Sequence, residues 1–427
     1  MTLVTVVLVV RLGLPSQLVI GPLGEVGAPA TLVGVLLFGY WFWHRLRLVE
    51  RRRAAAVNIA AIGFGMVALA SYGVASARPT DPVELNLSLG SLLILTSWLG
   101  GLLLASDGVT TFARLRTLLA RLAILSAAFS SFGLVQFLTG QAWVDGLSIP
   151  GLVANTPIYS SFERGGFYRP FSTSIHPIEF GAVIAMLLPL TIVYGMLGPV
   201  RAHWRWLTWI PAVLTVIAGA LSSSRSTLIG LAVGIVLLWP ALKPAQRLVG
   251  GIATAGLATF VFVTVPGMVG TILSLFNGVA TLDSSIASRV DSFSVAADYF
   301  GRTPILGRGF GTFLPRYRIF DDQYLLGLVE TGVVGFVSMI LLWVVPVVGV
   351  ARVIRRSEAG SPQRLVGAAL LSSCVVGGVG LAFFDGFGFP MMPTVWFVLL
   401  GMSGAYIRLA RQTSPSSLEA RPAVMTG

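Results

Sequence analysis

The segment Ser222-Ser223-Ser224-Arg225-Ser226-Thr227 sets one guanidinium among five hydroxyls in a short turn between two apolar runs. A helix starting near Ser226 would aim its positive N-terminal end and free N–H groups at the same place, which favours an anion there. Arg164, Arg169, Arg289, Arg302, Arg308, Arg316 and Arg318 also lie in breaks between apolar runs. A guanidinium stays charged at every relevant pH, and its planar fork gives two parallel hydrogen bonds to phosphate oxygens, which suits a lipid diphosphate. The same groups could snorkel to lipid headgroups or pair with neighbouring acids, the favoured reading for Arg302, Arg316 and Arg318.

Carboxylates supply the complementary chemistry. Asp321-Asp322-Gln323-Tyr324 stands at the entrance to an apolar run, with Glu330 two turns further in. Adjacent carboxylates repel, so one holds its proton tightly and either could take a proton from an attacking hydroxyl. Either could equally cap a helix N-terminus. His176 lies in Ser172-Thr173-Ser174-Ile175-His176-Pro177-Ile178-Glu179-Phe180-Gly181, where hydroxyls, an early proline and Glu179 read as a helix start. Gly301-Arg302-Thr303-Pro304-Ile305-Leu306-Gly307-Arg308-Gly309-Phe310-Gly311 would let backbone approach a ligand, but no strand precedes it as a dinucleotide motif requires. Cys374 lies within an apolar run, and no His and carboxylate set has metal-ligand spacing, so neither a disulfide nor a metal is expected.

These residues must be positioned by membrane helices. Of 427 residues 55% are hydrophobic and 11% charged, about half the charged fraction a soluble chain needs to cover its surface. Runs long enough to cross the hydrocarbon core occur near 29–44, 55–77, 87–105, 117–139, 177–198, 206–222, 227–241, 248–272, 323–348, 365–384 and 391–408. A weaker one at 2–20 carries Arg11, Pro15 and Gln17 and reads as a tilted or broken helix. The expectation is an all-α integral membrane protein of about twelve transmembrane helices, forming one polytopic domain over residues 1–410.

Charge orients the spans. The breaks holding Arg45, Arg47 and Arg51–Arg53, Arg114–Arg121, Arg201 and Arg205, Lys243 and Arg247, Arg352–Arg364, and the tail carry most of the 29 basic residues. Of the 17 acids they hold only Glu50, Asp107, Glu358 and Glu419. By the positive-inside rule these breaks and both termini are cytoplasmic. The net charge of +12 therefore records topology, and the arginines lack the aromatic-rich polar surface a nucleic acid would stack on. Two external loops, 141–175 and 273–322, are long enough to carry function and short surface helices. In the second, Asp283-Ser284-Ser285 reads as an N-cap, and Ile286, Val290, Phe293, Ala297 and Phe300 form one apolar face of a surface helix. Residues 411–427 read as a disordered cytoplasmic tail.

Taken together, these segments resemble the O-antigen ligase and polysaccharide polymerase superfamily. The matching pieces are the His-Pro-x-x-Phe-Gly pattern of 176–181, Ser-x-Ser-Arg-Ser at 222–226, Arg289 ahead of Pro304-x-x-Gly307-x-Gly309, and Asp321-Asp322-Gln323-Tyr324-Leu325-x-x-Leu328-x-Glu330-x-Gly332-x-x-Gly335. They span about residues 170–340 in the family's order. The resemblance implies transfer of a glycan from undecaprenyl diphosphate to an acceptor sugar hydroxyl at the outer face of the bacterial cytoplasmic membrane. That transfer would be metal-independent, cofactor-free and inverting. Arg225 and Arg289 match the family's diphosphate-holding arginines, and Asp321-Asp322 stands where the ligases carry His-Asn, which leans toward a polymerase with Asp321 or Asp322 as base. Arg164, Arg169, His176, Arg308, Tyr324 and Glu330 are the further candidates for substrate contact. The partners implied are the lipid-linked oligosaccharide, an acceptor glycan, membrane lipid, a flippase and a chain-length regulator. The alternatives are another lipid-linked glycan polymerase, as in peptidoglycan synthesis, and a transporter. A transporter would place ionisable groups at the bilayer midplane, where only Arg11 is a candidate.

Overall fold

Apolar helices make up most of the computed structural model, which describes residues 1–47, 55–155, 163–164, 167–198, 202–222, 224–248, 250–251, 255–256, 259 and 284–412. The helices are α1 (Thr2–Gly13), α2 (Pro29–Arg47), α3 (Ala56–Ser76), α4 (Pro82–Gly108), α5 (Phe112–Thr139), α6 (Pro177–Leu197), α7 (Ile210–Leu221), α8 (Arg225–Leu238), α9 (Ser284–Arg302), α10 (Gln323–Arg356), α11 (Pro362–Gly380) and α12 (Met391–Gln412). Among the described residues eight helices are long and apolar enough to cross a membrane, α7 being counted with the 3-10 turn before it. The bent pair Gly21–Gly27 and α2, at 64°, makes a ninth if it is one span, while α1 and the 225–241 run are shorter. This is the architecture of a multi-pass membrane protein. The expected run at 248–272 lies almost wholly outside the described residues. So do Arg51–Arg53, Arg201, the second loop up to Asp283 and the tail from residue 413.

Helix starts follow capping chemistry. Asp81 accepts from the Val83 amide at α4, Thr111 from Arg114 at α5 and Ser361 from Arg364 at α11, and α4, α6 and α11 each open on proline. The core runs along α12, whose Trp396, Phe397, Leu400 and Tyr406 are buried, and a helix apolar all round belongs inside a bundle. At one end, Asp107 accepts from Trp41 at 2.9 Å and Asn58 at 3.0 Å, with Arg45 at 4.0 Å, while Arg408 donates to the carbonyls of Ser106 and Val109. The arginine-rich breaks thus gather at that end, and α6, α8, α10 and α12 all begin at the other.

The two long loops differ in how far they follow expectation. The first carries no helix among its described residues. It forms two short antiparallel ladders instead, Leu18–Val19 with Val153–Ala154 and Glu163–Arg164 with Phe167–Tyr168. In the second, α9 packs Ala296 and Tyr299 against Phe313 and Phe320, while Phe293 and Ala297 face outward. Those two belong to the apolar face read from the sequence, and the side chains of Ile286 and Val290 lie outside the described residues. In the 301–311 stretch Gly307 lies against the backbone of Glu330, Gly309 against Ala75 and Gly311 against Ser91. α10 breaks at Gly332, with φ 61° and ψ −166°. The freed amides of Val333 and Val334 donate to Pro304 and Ile305 at 2.9 and 3.2 Å, and the amides of Arg308 and Gly309 donate to the carbonyls of Val329 and Glu330 at 2.9 and 2.8 Å. The two glycine-bearing motifs are complementary halves of one backbone joint.

A Cβ on Gly332 would collide with the Ile305 carbonyl, and its φ already disfavours any L side chain. Gly332→Ala is expected to cost at least about 1–3 kcal/mol of stability, read as a lower melting temperature of the detergent-purified protein.

Candidate functional site

The site is assembled from the turns at the end of the bundle away from Asp107, and its first anchor is Gln136 in α5. The Gln136 amide is buried; its Oε1 accepts from Phe171 and Ser172 at 3.1 and 2.6 Å, and its Nε2 donates to the carbonyls of Ala142 and Ser172 at 2.6 and 2.9 Å. Ser172 holds a positive φ of 54°. Thr173 donates to Leu12 at 2.7 Å and accepts at its carbonyl from Ser16 at 2.8 Å. The end of the first loop is thereby pinned to α5 and α1. Gln136→Leu leaves two buried amides without an acceptor, and a loss of about 2–4 kcal/mol is expected, measured by thermal unfolding in detergent.

The pinned segment presents His176 and Arg169. The His176 Nδ1 accepts from the Ile178 amide at 3.1 Å, capping α6. Burial first, then the charge of Arg169, pushes the His176 proton affinity down to about 4, so the ring is neutral at neutral pH. With Nδ1 an acceptor, Nε2 carries the hydrogen. Arg169 donates to the Ser222 carbonyl at 3.2 Å, which ties this segment to the α7–α8 turn. In that turn Arg225 is the first residue of α8 and is exposed, and the hydroxyls of Ser224 and Ser226 lie 2.9 Å apart. The expected coincidence of guanidinium, hydroxyls and helix N-terminus is present.

Carboxylates arrive from α10 and from the turn between α11 and α12. Asp322 is the N-cap of α10, accepting from Tyr324 at 2.8 Å and Leu325 at 3.2 Å, while Asp321 is exposed. The Gln323 amide donates to Leu381 at 2.8 Å, and its side chain accepts from Phe387 at 2.7 Å. These bonds dock the 381–389 turn beside Asp321 and bring in Asp385. Burial, reinforced by the charge of Asp321 and opposed by the Gly388 amide, raises the Asp385 carboxyl to about 6. Phe389 of this turn packs on His176 with ring centroids 6.0 Å apart. A small pocket lies between the helices, lined by Ala182 and Met186 of α6, Ser226 and Gly230 of α8, and Phe383 and Phe384 after α11. Its walls are apolar, with the Arg225 turn at one edge and the Asp385 turn at the other.

Other candidates are engaged in protein contacts. Arg308 donates to both oxygens of Glu84, at 2.8 and 2.9 Å, and lies over the Tyr317 ring at 4.4 Å. Arg316 bonds Asp81 at 2.8 Å and Glu84 at 3.1 Å, Tyr317 also donates to Glu84, and Arg78 donates to the Arg308 carbonyl. Arg302 pairs with Asp298 and Arg318 with Asp291, the favoured reading for these surface cations. Buried Glu330 accepts from Phe313 at 3.2 Å at the Gly332 joint, and the Tyr324 hydroxyl donates to Gly378 at 2.6 Å. Arg164 is in a loop ladder and Arg289 in α9, and both side chains lie outside the described residues. Asp385 and Gln136 escaped the sequence reading, and Glu179 was read only as part of a helix start. Asp385 carried a signal, an acid amid aromatics and glycines between two apolar runs.

Residues 210–340 match a family model described as O-antigen ligase. That stretch holds the Arg225 turn, α9, the Gly332 joint and Asp321, and is less than half of the chain. A search of curated proteins found no match.

Proposed function

We propose that this chain, whose residues 210–340 match a family model described as O-antigen ligase, moves or polymerises a glycan from an undecaprenyl-diphosphate donor onto an acceptor sugar hydroxyl. The reaction takes place at the outer face of the bacterial cytoplasmic membrane. The observation that carries this reading is the matched stretch itself, in which Arg225 opens α8 and Asp321 stands before α10, where the Gln323 bonds dock the turn bearing Asp385. The positive-inside rule, applied to Arg45 and Arg408 beside Asp107 at the opposite end, supports this sidedness.

The mechanism is a direct displacement. The acceptor oxygen bonds to the anomeric carbon as the bond from that carbon to the diphosphate oxygen breaks, and the electron pair leaves with the diphosphate. Arg225, the α8 N-terminus and Arg289 stabilise charge that grows mainly in the transition state. The hydroxyl proton passes to the Asp321–Asp385 pair. Asp322 serves as the cap of α10, which makes Asp321 the available member of the original two. Neutral His176 offers Nε2–H to a sugar or phosphate oxygen, and Arg169 adds positive charge beside it. A flippase and a chain-length regulator would be protein partners.

Purified protein given a polyprenyl-diphosphate oligosaccharide and an acceptor tests the reading. A product ladder identifies a polymerase and a single addition a ligase, while absence of any new glycosidic bond contradicts the proposal.

A further inference from the structure

Glu179 is fully buried at the first turn of α6, yet both of its oxygens are used. Oε2 accepts from the Ile175 amide at 3.2 Å, and Oε1 accepts from Met391 at 2.5 Å and Met392 at 3.2 Å. The first contact reaches back from the third helical residue past the His176 cap, as in a capping box. The other two satisfy orphan N–H groups that open α12. One carboxylate therefore sits at two helix N-termini, where negative charge is favourable. Arg11, buried in α1 and donating to the Thr31 hydroxyl at 2.9 Å, provides the opposite charge.

The sequence neighbours of these amides are functional candidates. Ile175 precedes His176, and Met391 follows Phe389 and Pro390 at the end of the turn that carries Asp385. Glu179 is thus a rigid strut between the segment presenting His176 and the segment presenting Asp385. We infer that Glu179 is a positioning residue for glycosyl transfer, setting the spacing between His176 and the Asp321–Asp385 carboxylates without itself meeting substrate. The inference rests on the glycosyltransferase reading. A misplacement of about 1 Å between reacting groups can cost around 100-fold in rate, so a strut of this kind has catalytic weight.

Glu179→Gln keeps one carbonyl oxygen for Met391 and Met392 but turns an NH2 toward the Ile175 amide, donor against donor. It also strands Arg11, so the charge-balanced double variant Arg11→Gln with Glu179→Gln is made alongside it. Per folded molecule, kcat is expected to fall about 10- to 100-fold with donor KM within about twofold. The melting temperature of the double variant should stay near that of the wild type. Independently of activity, hydrogen exchange should quicken at residues 175 and 391–392 in both variants. A folded double variant with wild-type kcat, or unchanged exchange at those amides, overturns the inference. Loss of activity that only tracks loss of folded protein does so too. A wild-type protein that makes no glycosidic bond would instead refute the glycosyltransferase reading, while the exchange result still tests the strut.

Discussion

Arg225→Ala is expected to lower kcat for glycan transfer by about 100- to 1,000-fold, the scale of a lost donor to charge developing in a transition state. Exposure makes it replaceable without harm to the fold: Arg225 opens α8, and the Ser224 and Ser226 hydroxyls stay beside it. The melting temperature should therefore hold while the rate collapses. Arg225→Lys should recover only part of the loss, because an ammonium supplies charge without the two-pronged geometry that fits a diphosphate. The measurement is kcat and KM for purified variants with a fixed polyprenyl-diphosphate donor. Normal turnover in Arg225→Ala would remove this residue from the mechanism.

Asp385→Asn is expected to lower kcat by about 100- to 10,000-fold, the span attributed to a positioned base, and to change the pH profile. Burial, with the charge of Asp321 adding to it, raises the Asp385 carboxyl to about 6. A base acts only when ionised, so wild-type activity should be full above about pH 6 and fall as pH drops through it. Asp385→Asn removes the group whose carboxyl burial raises, so its small residual rate should persist to lower pH. Asp321→Asn removes only the lesser charge contribution and leaves burial acting on Asp385, so its acid limb should remain. An acid limb near 6 that survives in Asp385→Asn would place the base elsewhere.

Much of the architecture was legible because membrane helices write themselves as long apolar runs with charged breaks. The runs at 55–77, 177–198 and 391–408 correspond closely to α3, α6 and α12. The short turn around Arg225 was legible because hydroxyls, a cation and a following apolar run are adjacent in sequence. Asp385 was not, since its importance comes from Asp321, more than sixty residues earlier, through the Gln323 bonds to Leu381 and Phe387. Arg308 read as a substrate cation, and its partner Glu84 lies 224 residues earlier, in α4, with α5 to α9 between them. The glycines of 301–311 read as letting backbone approach a ligand for the same reason. The stretch meets a break in α10 at Gly332, and local sequence gives no sign that the helix opens there. Periodicity served α9 better, since the apolar face of the surface helix includes Phe293 and Ala297, which are exposed.

The central claim is direct displacement of a lipid diphosphate by a sugar hydroxyl, and stereochemistry tests it most directly. Wild-type protein in liposomes, with donor of known anomeric configuration and a chelator present, is allowed to react, and the new linkage is assigned by nuclear magnetic resonance while released polyprenyl diphosphate is counted. The account predicts the opposite anomer with one diphosphate released per bond formed. Retention of configuration, or bond formation without diphosphate release, would contradict it.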